Sequence, residues 1–182
     1  MKKTILVYGG IAGAIVTLML IISFVFIVRM VPSEQHDMTG GMIIGFTSQF
    51  LAMSFIFIAT HSYKKNVLGG RIKFWPALKI GLLISFIAST MYVITWIILY
   101  HTGSSVIMET MAQQEIDKLI AENASKEQID SVKARWEFYR TLPGLILWTY
   151  VEILPTGILM SLISAIIFSF IGRKKKNNSV TQ

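Results

Sequence analysis

Four long apolar stretches divide this chain, and the charges between them are sorted by side. The stretches are 5–28, 42–60, 77–100 and 144–171, and only Lys79 and Glu152 carry charge within them. A bilayer core about 30 Å thick is crossed by about 20 apolar helical residues, so each stretch is long enough to span it. The pattern predicts one all-α membrane domain over 1–182, with four transmembrane helices in an up-down bundle. Composition agrees: 53% of residues are hydrophobic and 15% charged, with mean hydropathy +0.60, which is hard to reconcile with a soluble domain.

Lys2 and Lys3 before the first stretch resemble the start of a signal peptide. A signal core is about 7–15 residues long and ends at small residues. Here the stretch is longer and closes on Phe26, Ile27, Val28, Arg29 and Met30, so a retained anchor helix is expected.

With the N-terminus placed in the cytoplasm, the inner side collects Lys2, Lys3, Lys64, Lys65, Arg71, Lys73, Lys79, Arg173, Lys174, Lys175 and Lys176, and no acid. The other side holds six basic residues and nine acids. Retention of positive charge on the cytoplasmic side then puts both termini inside the cell. The net charge of +7 is thus explained by topology, and nucleic acid is not expected as a partner. The basic tail within 172–182 reads as an anchor on anionic headgroups, the alternative being a dock for an acidic partner. Lys79, in the first turn of its span, is expected to snorkel to the headgroups.

Between the spans, 29–41 reads as a short outer loop with Pro32 and Gly40-Gly41 as breakers. The inner turn 61–76 carries Gly69-Gly70 for positive backbone angles, and Pro76 for the start of the next helix. The segment from 101 to 143 is too long for an idle loop. Met108, Ala112, Glu115, Leu119 and Asn123 form one helical row. Ser125 and Gln128 have capping-box spacing, and Ile129, Val132, Trp136 and Tyr139 form an apolar face beyond them. The prediction is an extracytoplasmic amphipathic hairpin over about 104–142, its first arm continuing the third span and Pro143-Gly144 forming the joint to the fourth. Two such helices enclose no core of their own and must dock on something.

Membrane helices associate through close backbone approach. Small residues spaced by four therefore mark packing faces: Ala77, Gly81, Ser85 and Ser89 on the third span, and Gly157, Ser161, Ala165 and Ser169 on the fourth. Gly9, Gly13 and Thr17 form a shorter row on the first, and Gly41 with Gly45 lie on the second. The rows fit a tight antiparallel pair within the chain or an interface between copies.

Glu152 is the candidate functional residue, because a carboxylate within a span is costly. Gln49, Tyr92 and Thr95 fall at similar depth, so the four are expected to form an intramembrane polar cluster. Pro155 removes the N–H that would reach the Val151 carbonyl, adding a free acceptor. Such a cluster either fixes helix packing or handles a proton or cation; a third reading pairs an interfacial Glu152 with Arg140. Glu115 and Asp117 read as ordinary solvated helix faces. His36, His61 and His101 lie at no ligand spacing, cysteine is lacking, and phosphate loops are not found, so no metal, cofactor or catalytic residue is expected. The partners expected are the lipid bilayer and either a second copy of the chain or another membrane protein.

Several runs resemble a widespread bacterial family catalogued only as a domain of unknown function. They are Lys2–Gly9, Asn66–Phe74, Ala77–Ile84 and Tyr92–Trp96, followed by Glu152 with Pro155 and Gly157, and by Leu162–Ala165. The glycine-rich inner turn is the most specific of them, and Trp75-Pro76 departs from the pattern. The resemblance implies a four-helix bacterial membrane protein and brings no activity. The function expected is that of a non-enzymatic structural or interaction subunit, with a small transporter or proton-coupling protein using Glu152 as the alternative.

Overall fold

A computed structural model describes residues 1–30 and 38–177 and is all-helical, with no strand among the described residues. The helices are α1 (Lys2–Met30), α2 (Met38–Met53), α3 (Phe55–Asn66), α4 (Phe74–Leu99), α5 (Ser105–Ala121), α6 (Lys126–Arg140) and α7 (Leu142–Asn177). Three segments are long and apolar enough to cross a membrane: Lys2–Val25, Phe74–Gly103 and Leu142–Phe170. The chain is therefore a multi-pass membrane protein. Pro32, His36 and the last five residues of the expected tail lie outside the described residues.

The stretch expected as one span over 42–60 differs. It is two helices meeting at Ser54, and α3 runs on through Lys64 and Lys65 to Asn66. The Ser54 N–H is shared between the carbonyls of Phe50 (3.0 Å) and Leu51 (3.2 Å). Its hydroxyl donates to Leu51 as well, at 2.6 Å. The turn tightens toward i−3 bonding while Ser54 keeps right-handed helical angles. Gly40 and Gly41, expected to break the chain, are instead inside α2. Each glycine costs about 1 kcal/mol relative to alanine in a helix interior, less than an apolar helix loses by leaving backbone groups unpaired.

Turns close where backbone chemistry dictates. After α3, Gly69 (φ 62°) and Gly70 (φ 98°) reverse the chain, and the Gly70 N–H bonds the Lys64 carbonyl at 2.9 Å. Pro76 is the third residue of α4, still in the turn whose N–H groups have no helical acceptor. At the far end, a π-helical turn over Tyr100–Ser104 carries α4 toward α5, with Gly103 at φ 150°. α5 ends in a Schellman closure. Asn123 takes φ 54°, and Ala124 and Asn123 donate to Leu119 (2.9 Å) and Ile120 (3.0 Å). Ser125 then begins α6 with a complete capping box, Gln128 N to Ser125 Oγ at 3.3 Å and Ser125 N to Gln128 Oε1 at 2.9 Å.

The chain forms two compact units. One comprises 1–92 with 153–182, the other 93–152. The core of the first gathers Ile5 and Ala12 of α1, Met53 of α2, Ile56 and Ala59 of α3, Ala77, Ile80, Ile84 and Ala88 of α4, and Ile153 and Ala165 of α7.

Candidate functional site

Within the first unit, α4 and α7 meet through their small residues. A Cβ added at Gly81 would fall 2.6 Å from the Ser161 hydroxyl, and one at Gly157 would fall 2.6 Å from the Ser85 side chain. The sequence numbers run in opposite senses along the contact, so the helices are antiparallel. Ser85 and Ser161 lie 3.3 Å apart, oxygen to oxygen. Each also donates to the carbonyl four residues back, Ser85 to Gly81 (2.9 Å) and Ser161 to Gly157 (2.6 Å). Ala77, Ser89 and Ala165 are buried, whereas Ser169 is only half-buried and bonds the Ile166 carbonyl of its own helix. On α1, a Cβ at Gly9 would meet Ile87 at 3.1 Å and one at Gly13 would meet the Met91 sulfur at 2.3 Å. Gly45 has open space around it.

The four residues expected as one polar cluster are distributed over both units. Gln49 and Tyr92 belong to the first, Thr95 and Glu152 to the second. Gln49 is buried, and its amide donates to the Ile153 carbonyl at 3.1 Å. That acceptor lies in the turn that Pro155 interrupts, two residues beyond Val151. Tyr92 packs on the first unit's core. Lys64 provides an unforeseen polar contact. It is buried in the last turn of α3, its Nζ donates to the Phe168 carbonyl at 3.3 Å, and it stands 5.6 Å from the centre of the Phe168 ring. A basic run gave no sign that one lysine would turn inward.

The second unit is built on Glu115. Its carboxylate accepts from the Arg135 guanidinium and, at 2.9 Å, from the Trp136 indole N–H, tying α5 to α6. Partial burial works to raise its pKa, but the bonds from Arg135 and Trp136, with the charges of Arg135 and Lys118, outweigh burial and hold it below the usual value. Glu115, expected on a solvated face, is partly exposed but engages two partners on α6. The available signal was its place in the row of Met108, Ala112 and Leu119, where an acid among apolar neighbours demands a partner. Asp117 does stay exposed, accepting from Gln113 at 2.8 Å.

A second indole bonds the next turn of α6, with Trp96 Nε1 donating to the Tyr139 hydroxyl at 2.9 Å. The Tyr139 ring stands edge-on to Trp136 (5.6 Å) and to Tyr100 (6.4 Å). Burial pushes its phenol up to about 12; the Trp96 bond opposes this, and the charge of Glu152 adds to it.

Thr141 alone joins α6 to α7. Its hydroxyl donates to the Phe138 carbonyl (2.7 Å) and accepts from the Gly144 N–H (3.1 Å), closing one helix and capping the next. The helix thus begins at Leu142, ahead of the expected joint, and Gly144 is required because an added Cβ would collide with the Phe138 carbonyl. Residues of α6 and α7 line an open cavity of about 330 Å³: Arg135, Trp136, Tyr139, Trp148, Val151 and Glu152.

The family model described as "Protein of unknown function (DUF4199)" matches residues 8–169. The chain belongs to this family. No curated protein and no solved structure matches it. The DUF4199 match takes in Gly9, Gly13, the small-residue contact of α4 with α7, the Glu115 clamp and every residue lining the cavity.

Proposed function

We propose that this DUF4199 protein is a non-enzymatic structural or interaction subunit of a bacterial cytoplasmic membrane. On this reading it crosses the bilayer four times, with both termini inside. α2 and α3 together supply the remaining crossing, since Ser54 keeps helical angles and the apolar sequence continues through it. α5 and α6 form the extracytoplasmic hairpin.

The close approach of Gly81 to Ser161 and of Gly157 to Ser85 carries this reading. Contact through small residues is how helices associate in lipid. It leaves the bulky apolar side chains Leu82, Phe86, Ile158 and Ile166 exposed, to face acyl chains or the helix of a partner. The test combines reporter fusions at both termini with crosslinking in mild detergent. The chain contains no cysteine, so Ile166→Cys gives a single reactive site on the exposed face. Cytoplasmic signals at both ends and a crosslinked product of defined mass support the reading; an exported terminus or a strictly monomeric protein with no copurifying partner overturns it.

One observation favours a second reading, in which the protein moves a proton or cation. Glu152 lies in a membrane-spanning helix and lines an open cavity. Reconstituted vesicles decide it: no flux, or flux unchanged by Glu152→Gln, removes the idea.

A further inference from the structure

The cavity lined by α6 and α7 combines features that no packing role requires together. Trp136, Tyr139 and Trp148 supply aromatic surface, Glu152 an anion and Arg135 a cation. Trp136 and Tyr139 are held in place before any occupant arrives, one by its N–H on Glu115 and the other by its hydroxyl on Trp96. With its N–H committed, Trp136 offers an occupant carbon surface. Rigid aromatic faces beside a carboxylate suit an ammonium group, which is attracted to ring faces as well as to the anion. Arg135 spends part of its donor fork on Glu115 and, with five N–H donors, retains others for a second anion. The lining presents one charge of each sign, Glu152 and the Arg135 that also serves Glu115, which matches an occupant carrying both signs.

Depth selects the class of that occupant. The candidate span Leu142–Phe170 has 29 residues, about 43 Å of helix against a hydrocarbon core of about 30 Å. Its first turns therefore project into the headgroup layer. Trp148 lies about 9 Å and Glu152 about 15 Å from Leu142 along the axis, so the cavity opens where headgroup meets acyl chain. Trp148 and Val151 are both exposed, on the surface an acyl chain would follow.

We propose that this cavity binds the zwitterionic headgroup of a phospholipid, its ammonium among Trp136, Tyr139 and Trp148 at the Glu152 carboxylate, and its phosphate at the Arg135 guanidinium. The proposal rests on the membrane reading above and assigns the ligand class that the subunit holds.

The test uses the full chain in mild detergent, reading tryptophan fluorescence while a short-chain phosphatidylethanolamine is added. Parallel titrations use phosphatidylglycerol of the same chain length and free phosphoethanolamine. Saturable binding of the phosphatidylethanolamine is expected, with phosphatidylglycerol weaker by about tenfold or more, because it lacks the ammonium. Glu152→Gln should weaken the former by a similar factor, and Trp148→Leu should weaken it too, both with an unchanged thermal melt. Equal binding of the two lipids, or an unaltered titration with a folded Glu152→Gln, overturns the site. Phosphoethanolamine binding as tightly as the lipid overturns the lipid assignment in favour of a soluble ligand. Loss of selectivity in a protein that still sediments with membranes sinks this site alone; a protein soluble without detergent sinks the membrane reading with it.

Discussion

Each of the two units of this chain is held together internally by a different chemistry. In the first, α4 meets α7 where side chains are smallest, and the contact is Gly81 on Ser161 and Ser85 on Gly157. In the second, α5 meets α6 through some of the largest and most polar groups available, the Glu115 carboxylate with Arg135 and Trp136. Lipid offers a helix no hydrophobic reason to associate, so proximity of backbones must supply the attraction. Where water competes, aromatic area and charge-assisted hydrogen bonds are what remain worth making. One chain uses both solutions.

Substitutions break the two contacts in different ways. The largest effect is expected from Gly81→Leu. Its Cβ would collide with Ser161 and press on Ile56, and overpacking of this kind costs about 1–3 kcal/mol or more. Thermal unfolding in detergent should show the loss. Gly13→Ala sharpens the point: its Cβ meets the flexible end of Met91, so the melt should shift far less.

Glu115→Ala should come next, at about 1–2 kcal/mol, because it strands the Trp136 N–H and a guanidinium that is partly exposed. The same clamp predicts a pH dependence. The folded pKa of Glu115 lies below its unfolded value, so its contribution is complete above the ordinary carboxylate range of about 4.3 and is lost as pH falls through the lowered value. The protection of α6 amides, after correction for the intrinsic pH dependence of exchange, should fall on acidification in the wild type and change little in Glu115→Ala. A smaller effect than that of Glu115→Ala is expected for Ser125→Ala, about 1 kcal/mol from the lost cap, visible as faster exchange at the amide of Gln128 and its neighbours.

The sequence made the three long apolar helices legible because length and hydropathy alone decide whether a helix suits lipid. It also pointed to the faces of Gly81 and Gly157, since four-residue spacing puts small residues on one side of a helix. Ser54 could not be foreseen as a break: a serine in an apolar helix usually bonds its own backbone without disturbing the ladder, and geometry alone separates the two outcomes. Thr141 was missed because one residue serves two helices, a role that neither segment reveals by itself. The sequence singled out Glu152 but grouped it with Gln49, Tyr92 and Thr95, or with Arg140, and not with the residues that share its cavity. Its companions Arg135, Trp136 and Tyr139 lie more than ten positions away on another helix, and nothing in their spacing refers to residue 152.

Thr141 gives the molecule a joint without slack. Its single hydroxyl holds the last turn of α6 and the first turn of α7 at once, so α6 has no linker to absorb a tilt. Whatever pries Trp136 or Tyr139 outward must either sever those two bonds or drag the head of α7 along.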